Sequence, residues 1–169
     1  MPYDPTVFWT PLPGETLASV LTKFAVAAAL GAIIGIEREI QNQSAGLRTH
    51  MLTSLAAAAF TVVAWAMYHD VQQQAEGSQN VDPIRVVEAV TAGIAFLGAG
   101  AIIQSRDRVL GLTTGAGMWV AGAAGVATGC GYYTAAFSLT VIAFAVLSLL
   151  KWIERRTVSR PPEDPPPRA

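Results

Sequence analysis

Six charged side chains interrupt otherwise apolar stretches of this chain: Lys23, Glu37, Arg38, Arg48, Glu88 and Arg106. They are the first candidates for function. Glu37 and Arg38 are adjacent, and Arg48 follows after a short polar turn. A fixed ion pair, for example Glu37 with Arg48, would close one face of the protein or bind an anionic group. The plainer alternative is that these charges anchor the chain among lipid headgroups. Lys23 and Glu88 have opposite sign and sit about 6–9 Å inside the outer starts of two apolar runs, at 1.5 Å per helical residue. Each alone is costly in hydrocarbon, so equal depth suggests a pair, and Glu88 would then be a candidate proton or cation site. Lys23 could instead snorkel to the outer headgroups unaided.

Other chemistry is thinly represented. No Ser/His/Asp set, Gly-rich phosphate loop or His/Asp metal cluster is visible, so neither an enzyme nor a cofactor is expected. His50 and His69 mark the two ends of one apolar run, too far apart to share a metal, and read as interfacial histidines. Acidic residues on the outer side could hold Mg²⁺ only as scattered oxygens. Cys130 is the only cysteine. It therefore forms no intrachain disulfide and reads as a small buried apolar residue. No basic stripe carries interleaved aromatics, so nucleic acid is not an expected partner.

These charges need elements to hold them, and the composition says which. Of the 169 residues, 52% are hydrophobic and 14% charged, against roughly 25% charged in a soluble domain. Five apolar runs approach the ~20 residues that cross a bilayer. They cover about 17–36, 51–68, 84–104, 110–130 and 133–153, and predict an all-α bundle of five transmembrane helices. Only Gly131 and Tyr132 separate the last two, which predicts a tight helical hairpin rather than one long broken segment. Residues 1–16 carry Asp4 and Glu15 but no Lys or Arg. That is a poor signal peptide, so the first helix is expected to stay in the membrane.

Orientation follows from Lys and Arg in the loops. With five crossings, the turns at 37–50 and 105–109 and the tail lie on one side. Together they hold nine of the eleven basic residues: Arg38, Arg48, Arg106, Arg108, Lys151, Arg155, Arg156, Arg160 and Arg168. The N-terminus is therefore expected outside and the C-terminus in the cytoplasm. Residues 1–16 form an extracytoplasmic segment, 17–154 the transmembrane domain and 155–169 a Pro-rich disordered tail.

Small residues recur at helix-packing spacing. Gly31 and Gly35 lie four apart, as do Ala121, Gly125 and Gly129, and Gly98 and Gly100 stand near the end of the third run. Such spacing lets backbones approach closely, which holds helices together in lipid. The same glycines could instead line a pathway or a dimer seam.

Five blocks occur in an informative order: Gly35-Ile36-Glu37-Arg38-Glu39, Ala45-Gly46-Leu47-Arg48-Thr49-His50, Asp82-Pro83-Ile84-Arg85, Gly93 to Gly100, and Gly111 to Trp119. On these blocks the chain resembles the MgtC/SapB family of bacterial inner-membrane proteins over about residues 17–150. The resemblance implies a multi-pass protein of the inner (plasma) membrane, linked in some members to magnesium limitation, stress adaptation or virulence. It covers the transmembrane domain, and the C-terminal cytoplasmic domain of many members is not expected here. The family pattern is uncharged where Glu88 stands, which marks Glu88 as particular to this chain.

The expected function is modulation of ion homeostasis or of other membrane proteins. The alternative is a small cation or proton transporter or channel. The lipid bilayer, other membrane proteins and a second copy of this chain are the expected partners. Single cysteines replacing Asp4, Ser44 and Arg160, in a chain freed of Cys130, test the orientation. An impermeant thiol reagent should reach the first from outside the cell and the other two only from the cytoplasm.

Overall fold

The structure is a computed structural model, and it describes residues 12–74, 82–105 and 108–157. Five helices carry the fold: α1 (Leu17–Ile40), α2 (Leu47–Gln74), α3 (Ile84–Gly100), α4 (Leu112–Gly129) and α5 (Tyr133–Thr157). Among the described residues, Leu17–Ile40 and Leu47–Gln73 are the helices long and apolar enough to cross a membrane, and Tyr133–Leu149 is a shorter apolar helix. Most of the N-terminal segment, residues 75–81, Arg106 and the Pro-rich tail from 158 lie outside the described residues.

The first helix starts where its chemistry says it should. Thr16 is extended and its hydroxyl accepts a hydrogen bond from Ser19 N at 3.1 Å, capping α1. Lys23, Ala27, Leu30, Ile34 and Glu37 then recur every three or four residues and are all buried, which defines one packed face. The chain reverses through residues 41–46, with Asn42 in the left-handed region at φ 53°. This turn is shorter than the expected 37–50. Glu37 and Arg38 are therefore helical residues of α1, and Arg48 and His50 are helical residues of α2. Thr49 lies inside α2. The orphan amide of Leu47 is satisfied by Glu39 Oε2 at 3.0 Å.

The third and fourth elements also differ from the apolar pattern. α3 stops at Gly100 rather than Gln104, and Ile103–Ser105 pairs antiparallel with Arg108–Leu110 in a small ribbon. Gly111, at φ 87°, links the ribbon to α4, and a Cβ there would collide with the Ala101 carbonyl. The last two apolar runs are separate helices. Gly131, at φ 83°, donates to Thr128 O at 2.9 Å, and Tyr132 N donates to Ala127 O at 2.8 Å. These bonds close a Schellman turn after α4.

Helix α4 is the centre of the bundle and packs against each of the other four. The glycines explain how. A Cβ on Gly31 would lie 2.6 Å from His50 O, and one on Gly35 would lie 2.7 Å from Leu47 Cα, so α1 and α2 touch backbone to backbone. On α4, a Cβ on Gly125 would strike Ser54 O, and one on Gly129 would lie 2.7 Å from Thr61 Cβ. Gly98 of α3 meets Gly115 of α4, where an added Cβ would lie 3.3 Å from Gly115 O. Gly100 does not pack this way: a Cβ there meets no atom within 4 Å.

Large apolar side chains point outward, among them Phe96 of α3, Ile142 of α5 and Leu21 of α1, all well exposed. Meanwhile Thr53, Thr61, Thr128 and Thr140 are buried, each donating to the carbonyl four residues earlier at 2.8–2.9 Å. Apolar outside with hydroxyls bonded to their own helices is the arrangement a hydrocarbon solvent demands.

Gly125→Ala should destabilise the bundle by about 1–3 kcal/mol, the usual cost of overpacking. Gly100→Ala should be near neutral. Thermal unfolding of both variants in one detergent measures the contrast.

Candidate functional site

The end of the bundle that carries the 41–46 turn gathers polar side chains from three helices. Glu37 and Arg38 come from the last turns of α1, His50 and Ser54 from the first two turns of α2, and Thr114 from the first turn of α4. All five are buried, with His50, Ser54 and Thr114 completely so. Arg38 Nε donates to Glu37 Oε2 at 2.5 Å, and both side chains are almost wholly inside the protein. Desolvating such a pair costs several kcal/mol per ion, so it must be held in place by its surroundings. The close approach at Gly31 and Gly35 supplies that hold by pressing α2 onto this part of α1.

His50 is fixed from two sides. Its Nδ1 lies 2.8 Å from Gly46 O. A carbonyl only accepts, so Nδ1 carries the proton of this bond. Nε2 lies against α4, where a Cβ on Gly117 would come within 3.0 Å of it. Above the turn, Thr114 Oγ1 lies 3.5 Å from Gln43 Oε1, at the limit of a hydrogen bond.

Three buried polar atoms among the described residues have no hydrogen-bond partner: Glu37 Oε1, His50 Nε2 and Ser54 Oγ. An unsatisfied buried group costs about 1–3 kcal/mol, and more when charged. All three belong to this one junction.

The other sequence candidates are placed elsewhere. Arg48 is exposed and does not pair with Glu37, because it points off the α2 face that carries His50 and Ser54. Arg106 lies outside the described residues. Lys23 is buried at the opposite end of α1, and its ion-pair partner is Glu15, not Glu88. Glu88 is exposed on α3, which leans on α4 and only lightly on α2. The expected Lys23–Glu88 pair is therefore absent among the described residues: Glu15, eight residues before Lys23, reaches it first. Burial alone would push the Glu15 carboxyl up. Hydrogen bonds from Lys23 and Ser19, with the attraction of Lys23 and His69, outweigh it and hold the group below its ordinary value. A cleft beside this clasp is lined by Gly14, Trp65, His69, Cys130 and Tyr132. His69 is exposed there, as an interfacial residue should be.

Sequence reasoning missed the burial of His50 and the part played by Ser54 and Thr114. A signal was present. His50, Ser54, Ala57, Ala58 and Thr61 recur at helical spacing and form the buried stripe of α2.

The five-helix bundle has an outward apolar surface, and among the described residues two of its helices are long and apolar enough to cross a membrane, as in a membrane protein. Within that class the chain belongs to the MgtC family, whose model matches residues 24–156. It is similar to protein SapB of Bacillus subtilis, with 34% identity over 139 residues, 81% of this chain and 59% of that protein. It is similar to a putative magnesium transporter, YhiD, of Escherichia coli K12, with 32% identity over 143 residues, 85% of this chain and 66% of the relative. Protein MgtC of Brucella abortus is 36% identical over 137 residues, 81% of this chain and 53% of that protein. The chain thus spans between half and two thirds of the length of these curated relatives. No solved structure matches it.

Removing one member of the buried pair should be far worse than removing both. Glu37→Leu leaves Arg38 buried without its carboxylate and should cost about 3–5 kcal/mol, whereas Glu37→Leu with Arg38→Met should recover most of that loss. Unfolding of the single and double variants in detergent reads the difference.

Proposed function

We propose that this chain is a five-span protein of the bacterial inner membrane, N-terminus outside and C-terminus cytoplasmic, that modulates ion homeostasis by acting on other membrane proteins. In this reading it is not an enzyme, and magnesium limitation is the setting in which it acts. The printed name of its relative YhiD, a putative magnesium transporter, supports the magnesium setting. Alternation of helix direction supports the topology. α1 and α2 run antiparallel through the Gly31–His50 and Gly35–Leu47 contacts. α2 and α4 run parallel through Gly117–His50 and Gly129–Thr61.

One observation favours modulation over transport. Among the described residues the charged groups do not form a file across the bundle. Lys23 is satisfied by Glu15 at one end, Glu37 and Arg38 bond each other at the other end, and Ala27, Leu30 and Ile34 fill the α1 face between them. The hydroxyls nearby, on Thr53 and Thr61, are turned into their own helices. A transport path needs groups that exchange partners along its length, and Glu88 stands outside any such line.

Purified protein reconstituted in liposomes tests this. The expected result is no proton, K⁺ or Mg²⁺ flux above protein-free vesicles, with specific membrane proteins co-purifying from cells under magnesium limitation. Flux that scales with protein amount would replace modulation with the transporter reading.

A further inference from the structure

The buried junction at the turn end presents an acceptor without a donor. His50 Nδ1 is committed to Gly46 O at 2.8 Å, so the neutral ring keeps its lone pair on Nε2. That atom is completely buried and has no partner. Glu37 Oε1, at the same junction, is a second buried acceptor without a donor, since Arg38 holds only Oε2. Neither atom has a hydrogen-bond partner, and Glu37 is near enough to act on the ring as an opposite charge. Space for it is preserved by Gly117, because a Cβ there would press on Nε2 from 3.0 Å.

We infer that His50 is a proton-binding site buried in the three-helix junction, with the free oxygen of Glu37 as its counter-charge. A proton from cytoplasmic water adds to the Nε2 lone pair, no bond breaks, and the ring becomes an imidazolium carrying one positive charge. Glu37 then faces two cations, Arg38 and His50, where it faced one. The Arg38–Glu37 bond, within the last turns of α1, is the element that responds.

The charges around the ring can be named. Burial opposes a charge on the ring, Arg38 of α1 adds to that opposition, and the Gly46 carbonyl and Glu37 of α1 offset it. Glu39 is engaged with Leu47 N at 3.0 Å, and Arg48 is exposed on α2. Helix α4, Leu112–Gly129, contains no ionisable side chain. For Arg108 of the ribbon and for the end of α5 the structure describes the backbone alone. The inference goes beyond the proposed function and stands whether or not the protein carries flux.

The chain has only two histidines, which makes the site directly observable. Imidazole ¹⁵N spectra of the full chain in lipid nanodiscs, in a His69→Gln background, follow His50 through pH 8 to 4. Nε2 should move from the unprotonated to the protonated position while Nδ1 stays protonated. Glu37→Gln should lower the midpoint by about one pH unit or more, since an opposite charge is lost. Gly117→Ala should also shift it, and Glu15→Gln at the far end should not. A ring that stays neutral over the whole range in the His69→Gln background, with Glu37 intact, overturns the inference. So does a midpoint unchanged by Glu37→Gln in a folded protein.

Discussion

Backbone contact between helices is the constraint on which this structure depends. Where α1 crosses α2, and where α4 crosses α2, the residues in contact are glycines facing carbonyls and Cα atoms. In lipid there is little hydrophobic drive to bring helices together, so stability comes from close van der Waals approach. Every other feature follows from that closeness. Large apolar side chains are pushed outward, and the buried hydroxyls of Thr61 and Thr128 bond within their own helices.

The same closeness lets charge exist inside the bundle. Arg38 and Glu37 lie one residue apart on α1, and α2 packs tightly over this stretch because Gly35 lets Leu47 approach. His50 sits in that crossing, held by the carbonyl of Gly46 four residues before it. The far end is built differently. There a carboxylate from the segment preceding α1 neutralises the buried lysine, so the cation is satisfied without a partner helix.

Much of this was legible in the sequence. Five apolar runs gave the helices, the Gly131–Tyr132 break gave the α4–α5 hairpin, and the order of short blocks pointed to the MgtC family. Element ends were less legible. Hydropathy alone placed Glu37 and Arg38 in a turn, because it scores a charged residue as a break whether or not a neighbouring helix can shelter it. It also extended α3 through Ile102 and Ile103, which are apolar in either a helix or a ribbon. Depth along a helix suggested Lys23 with Glu88, but depth carries no information on which way a side chain faces.

What the sequence by itself determined is the set of helices and the small residues that let them touch, because both are local properties of composition and spacing. What only the tertiary structure decided is which polar groups meet. Glu37, His50, Ser54 and Thr114 span 77 positions of sequence and come together only because α4 packs alongside both α1 and α2. No periodicity records that contact. It arises from the direction in which three helices cross, and that direction is fixed by where their backbones can come closest.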